Sequence, residues 1–215
     1  MGSLKLLMMT GTFISQLLPA NQLGGDDFKL VKEERGISLY ERWIPGAEKE
    51  PVRELKAVFF VHANKKDIHL LLTDQERGTD WNMEAKAYNV LPAGDENTWI
   101  TYIKYSIPWP FDDQDCCLKY HVREEGKDGK PAEITFESTS HSRFPVFNKV
   151  TRITGVQGKW LLHEQGNGSV KVIYSISTNR SKKVPRWVSD PIVRGNLFET
   201  MNRFKTLVEK AHGVR

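Results

Sequence analysis

Apolar and polar positions alternate along most of the chain, and a helical period takes over near its C-terminal end. Ile37, Leu39 and Trp43 alternate with polar neighbours, and Pro45-Gly46 supplies a turn. Arg53 to His62 (RELKAVFFVH) is a second strand, rich in β-branched and aromatic residues. Ahead of both, Asp27 to Glu34 reads as a short helix or an extended lead-in. Asn64 is placed to cap a helix from Lys65 to Asp74, in which Ile68, Leu71 and Leu72 recur at helical spacing. Arg77 to Trp81 then leads into a strand from Glu84 to Leu91 that closes at Pro92-Ala93-Gly94-Asp95.

The central strands alternate most regularly. Asn97 to Ile107 sets Trp99, Thr101, Ile103, Tyr105 and Ile107 on one face, with Ile100, Tyr102, Lys104 and Ser106 on the other. From Gln114 to Glu125, Cys116, Leu118, Tyr120 and Val122 alternate with Cys117, Lys119, His121 and Arg123. A GKDG hairpin turn at residues 126–129 precedes Ala132 to His141, whose inward set is Ile134, Phe136 and Ser138. Two further strands, Val150 to Glu164 and Ser169 to Asn179, meet at Gly166-Asn167-Gly168. The final element is a helix from Pro185 to His212, with a stripe of Val193, Leu197, Met201, Phe204, Val208 and Ala211 widened by Phe198 and Leu207. Pro191 lies inside it and either kinks the helix or marks its true start.

Hairpin-spaced strands followed by one long helix predict an α+β fold, a curved antiparallel sheet gripping the C-terminal helix, as a single domain over residues 28–212. Such a sheet can leave a central apolar cavity beneath the helix. The inward aromatics Trp99, Tyr105, Tyr120 and Phe136 would then line it, or they pack into a dense core. The pattern alone leaves both open.

Composition narrows the function. Apolar residues make up 39% of the 215 and charged residues 27%, an ordinary globular balance. The net charge is +4, but Lys and Arg are interspersed with Asp and Glu, which argues against a nucleic-acid partner and leaves a weak, transient attraction to anionic membrane surfaces. Cys116 and Cys117 are adjacent, so the strand directs one thiol inward and the other to the outer face rather than joining them. No spaced Cys/His set suggests a metal, no cofactor fingerprint occurs, and no catalytic elbow or His-Glu-x-x-His appears. Residues 1–20, with Lys5, the apolar run Leu6 to Leu18 and Pro19-Ala20, read as a signal peptide and predict export, periplasmic or secreted. The alternative is a cytoplasmic protein with an N-terminal extension.

Four segments in order resemble the START domain, the steroidogenic-acute-regulatory-related lipid-transfer family of helix-grip proteins. They are Asp74 to Asn82 (DQERGTDWN), Ile107 to Cys116 (IPWPFDDQDC), Thr151 to Leu162 (TRITGVQGKWLL) and Val184 to Phe204 (VPRWVSDPIVRGNLFETMNRF). One departure stands out: the family's usual Arg before Asp is Gln114 here. The resemblance implies a deep apolar tunnel beneath the C-terminal helix that holds one lipid or other apolar small molecule without catalysis. Its walls would include Trp99, Ile103, Leu118, Tyr120, Phe136, Leu197 and Met201. Arg152, Ser138, Tyr105 and Tyr174 would orient a headgroup, and Trp187 would be a lid residue. Each has a structural alternative: a salt bridge for Arg152, a satisfied core hydroxyl for Ser138 and the tyrosines, and a helix-start anchor for Trp187. An aromatase/cyclase-like enzyme on the same scaffold, or an interaction module with a filled core, are the competing functions.

Overall fold

The chain enters its sheet through a two-residue hairpin at Arg35 and Gly36, both at positive φ (52° and 72°), the geometry that matches the twist of paired strands. This computed structural model describes residues 27–46, 51–123, 131–165, 167–178 and 186–213, without the side chains of 186–189. The predicted residue 126–129 turn, the signal-peptide stretch and the side chain of Trp187 lie outside the described residues.

The hairpin joins β1 (Lys29–Glu34) to β2 (Ile37–Pro45), so the lead-in is a strand rather than a helix. β3 (Pro51–Val61) follows, then helices α1 (Lys65–Thr73) and α2 (Gly78–Trp81). β4 (Ala85–Ala93), β5 (Asp95–Tyr105), β6 (Asp113–Arg123) and β7 (Ala132–Ser138) continue the sheet. The last elements are β8 (Val150–Arg152), β9 (Gln157–Gln165), β10 (Ser169–Ser177) and α3 (Arg186–Gly213).

Strand order is β1-β2-β3-β10-β9-β7-β6-β5-β4, every neighbouring pair antiparallel. The curved sheet and its C-terminal helix form the helix-grip architecture. The expected single strand over 150–164 is two strands. β8 pairs in parallel with the start of β6, Asp113 facing Val150, and the chain breaks before β9. Alternation could not reveal that break, because the partner strand lies far away in sequence.

α1 begins as its sequence requires. The Asn64 side chain accepts from the Asp67 amide at 2.9 Å and Asp67 accepts from the Asn64 amide, a reciprocal cap. His212 near the end of α3 reaches Asp67 at 2.7 Å, tying both helices together. α3 runs through Pro191. Its lower half buries Phe198, Met201, Phe204 and Val208 against the sheet, whereas Val193 of the expected stripe is 40% exposed and lies beyond that contact.

The outer face of β5 and β6 is covered as well. Residues 139–149 fold back across it, and Phe144 stacks on Tyr102 with ring centroids 4.3 Å apart. Cys117 occupies that face as parity demands, yet it is buried beneath the segment rather than exposed. The expected outer-face position of this thiol stands, and the long-range cover buries it there.

Candidate functional site

Register carries one face of the sheet around to α3. Trp99 pairs with Tyr120, Tyr120 with Phe136, Ile134 with Trp160, and Trp160 with Tyr174, so these side chains share the inner surface. Their rings form a continuous strip. Trp99 stacks on Tyr120 (5.0 Å, 7°), Tyr120 meets Phe136 (5.1 Å), Phe136 meets Tyr174 (5.8 Å), and Tyr174 meets Trp160 (4.5 Å). Trp160 then packs on Phe204 of α3 at 4.9 Å, and Trp81 of α2 meets the same Phe204 at 5.0 Å. Gly158 makes this possible, because a Cβ there would run into the Phe136 ring and the Ser175 carbonyl.

Polar atoms on this surface are poorly paired. The indole N–H groups of Trp81, Trp99 and Trp160 are buried without a hydrogen-bond partner. Among the described residues the Tyr120 and Tyr174 hydroxyls have none either. Tyr105 reaches only the Cys116 thiol, a weak partner, while the Tyr88 hydroxyl is satisfied by the Leu72 carbonyl at 2.7 Å. Burial pushes the phenols of Tyr105, Tyr120 and Tyr174 well above their ordinary value, with the neighbouring phenols and Cys116 adding to the effect. Burial likewise pushes the Cys116 thiol up to about 12.

The expected wall residues Trp99, Ile103, Leu118, Tyr120, Phe136 and Met201 and the expected headgroup residue Tyr174 are buried in this one interior, and Leu197 and the expected headgroup residue Tyr105 are half-buried at its edge. Ser138 pairs with Leu118 on the inner side. Its hydroxyl accepts from the Val156 amide at 2.8 Å, a backbone role. Arg152 stands apart. It pairs with Asp115 across β8 and β6, on the opposite face from Cys116, and grips both Asp115 oxygens (2.6 and 3.0 Å) and the carbonyls of Phe144 and Pro145 (both 3.0 Å). A headgroup contact by Arg152 gives way to this structural role, because it lies on the opposite face from Cys116 and its Nε and Nη2 are taken up by Asp115 and the two carbonyls.

Sequence reasoning passed over Trp160, Tyr88 and Gln114 as site residues. Gln114 pairs with Tyr105 and so faces the same interior. Cross-strand register, invisible along one strand, is what brings these three in. Among the described residues no group of three His, Cys, Asp or Glu side chains gathers as a metal set would require.

The START domain model matches residues 28–212. The structure is similar to a STAR-related lipid transfer protein of Xanthomonas axonopodis, with TM-score 0.73 and 23% identity over 85% of this chain and 99% of that one. Human STARD10 gives TM-score 0.69 and 15% identity, over 86% of this chain and 74% of its own. The Zhui aromatase/cyclase of Streptomyces is more distant, with TM-score 0.55 and 11% identity, over 76% of this chain and 96% of that one.

Proposed function

The chain belongs to the START domain family, and from that premise we propose that it encloses one lipid or other apolar small molecule between the inner sheet face and α3, without covalent chemistry. START domains bind lipids or apolar ligands. The observation that carries the reading for this chain is unpaired polarity on the inner surface: the Trp99 and Trp160 indole N–H groups are buried there without a hydrogen-bond partner. An enclosed space that receives a guest beside them accounts for donors left without a protein partner. Each methylene moved from water into such a space gains about 0.8 kcal/mol, enough to retain a long apolar guest.

Non-catalytic binding is supported by the chemistry of the inward groups. The Cys116 thiol stays protonated at neutral pH, which makes it a poor nucleophile. The buried phenols stay protonated as well. An acid or base catalyst works best when its pKa lies near the working pH, and these groups lie far above it.

Transfer would require contact with a membrane, and one end of the molecule suits it. Trp109 (92% exposed) and Phe111 lie before β6, and Val146 (72% exposed) and Phe147 lie before β8, whose first residues pair with each other. Exposed aromatic and aliphatic side chains on adjacent loops match the apolar zone of a bilayer interface. Residues 1–20 support an exported protein. N-terminal sequencing from the native cell tests that, and an intact Met1 or Gly2 would contradict it.

The binding reading is tested by incubating the protein with vesicles that carry a mixed lipid extract, removing the vesicles and analysing the protein by native mass spectrometry. We expect about one apolar molecule per chain. Folded protein that never carries a guest would overturn the reading.

A further inference from the structure

The inner surface separates charge from neutral polarity. Glu41 faces inward beside Leu39 but is held by Arg194 of α3 at 2.6 to 3.0 Å. Arg53 faces inward beside Leu55 and pairs with Asp190 of α3 at 3.0 Å. Glu164 lies at the far end of β9 and pairs with Lys65. Each of these charges lies at a rim of the sheet. Between the rims, the polar groups on β5, β6 and β10 are neutral: Thr101, Tyr105, Gln114, Cys116, Tyr120 and Tyr174. His69 of α1, edge-on to Trp99 at 5.2 Å, has its pKa lowered by burial, which favours its neutral form.

An ionised headgroup brought among these groups would lose its hydration and meet no free opposite charge among the described residues, a cost of several kcal/mol. A hydroxyl or carbonyl meets the opposite situation. The Trp99 indole N–H is a buried donor without a partner, the Tyr120 and Tyr174 hydroxyls form no hydrogen bond among the described residues, and an oxygen on the guest satisfies them. The flat Trp99–Tyr120–Phe136–Tyr174 strip offers the rest of the guest an apolar floor.

We propose that the guest is uncharged and carries a hydroxyl or carbonyl oxygen, which hydrogen-bonds the unpaired donors of Tyr120, Tyr174 and Trp99 and the weakly paired hydroxyl of Tyr105, and that molecules with ionised headgroups are excluded. This inference rests on the enclosed binding site proposed above and narrows its ligand class.

Matched probes test it. Phosphatidylcholine vesicles are doped with cholesterol, cholesteryl sulfate or cholestane in one series, and with hexadecanol, hexadecyl sulfate or hexadecane in another. Guest bound per chain is counted after the vesicles are removed. In at least one series the alcohol should bind at least about tenfold more tightly than its sulfate and about fivefold more tightly than the bare hydrocarbon. A Tyr105→Phe, Tyr120→Phe, Tyr174→Phe triple variant should lose the preference for alcohol over hydrocarbon while keeping its circular dichroism and binding of the hydrocarbon. Preferential capture of a sulfate, or of phosphatidylcholine itself, would overturn the neutral-guest inference and leave apolar binding standing. A preference for alcohol that the triple variant retains would overturn the assignment of the donors. Failure of the folded protein to hold any probe or any vesicle lipid would sink the binding reading along with the inference.

Discussion

Two polar clusters lie back to back on the same central strands and follow opposite rules. On the outer side, Tyr102 donates to Asp115, Arg152 grips both Asp115 oxygens through Nε and Nη2, and the Phe144 and Pro145 carbonyls also accept from Nη2, all beneath stacked Phe144. On the inner side, Tyr120 and Tyr174 have no partner among the described residues, and three buried indole N–H groups have none. A buried polar group ordinarily forms its hydrogen bonds, because each one left unmade costs about 1–3 kcal/mol. The outer cluster obeys because its task is to hold a loop. The inner cluster departs from that rule where a guest is proposed to complete it, which makes unpaired polarity, rather than polarity itself, the mark of the site.

Alkaline pH strains the inner cluster most: burial and Asp115 push Tyr102 of the outer cluster up to about 12, and burial raises the inner phenols further still. The inner phenols are held protonated in the fold, whereas in the unfolded chain they ionise near pH 10. A folded pKa above the unfolded one means that the stabilisation is fully present below about pH 10 and is lost as pH rises toward the folded values. We expect phenolate absorbance from these residues to appear together with loss of the near-ultraviolet circular dichroism, in one cooperative unfolding. Phenolate signals from the inner tyrosines in a protein that remains folded at pH 10 would erase the contrast.

Next in size is Asp115→Ala, which strands Arg152 and removes the acceptor of Tyr102. Chemical denaturation should register a loss of about 3–5 kcal/mol, with guest binding preserved in the folded fraction. Gly158→Ala strikes the inner strip instead, forcing Phe136 and the β10 backbone apart. It should cost about 1–3 kcal/mol and weaken binding as well, as measured by denaturation and guest retention. The smallest effects form a pair. Tyr102→Phe breaks an existing hydrogen bond and should lower stability by about 1 kcal/mol, whereas Tyr174→Phe, with no bond to lose, should leave guest-free stability within about 0.5 kcal/mol. Equal losses from both would end the distinction between the clusters.

Much of this was legible along the chain wherever a signal is local. Asn64 announced its helix cap, and the alternation through Trp99, Ile103, Leu118, Tyr120 and Phe136 assigned the inner face correctly, since burial of one face imposes a period of two. What stayed hidden depends on distant segments. Cys117 and Tyr102 are buried because residues 139–149 cover the outer face, and nothing near them in sequence says so. Arg152 follows from a parallel pairing between β8 and β6, and the placement of Gln114 beside Tyr105 follows from cross-strand register. The family resemblance supplied the architecture, while the difference between paired and unpaired polar groups emerged only from three-dimensional contacts.

The central claim is an enclosed space beside Tyr105 and Tyr174, and crystals of the ligand-free protein pressurised with xenon probe it without presuming a ligand, because xenon occupies empty apolar cavities. Xenon density between the inner sheet face and α3, in contact with the Tyr105 and Tyr174 side chains, is the predicted result. An interior closed by the protein's own side chains, with xenon absent from it, would contradict the account.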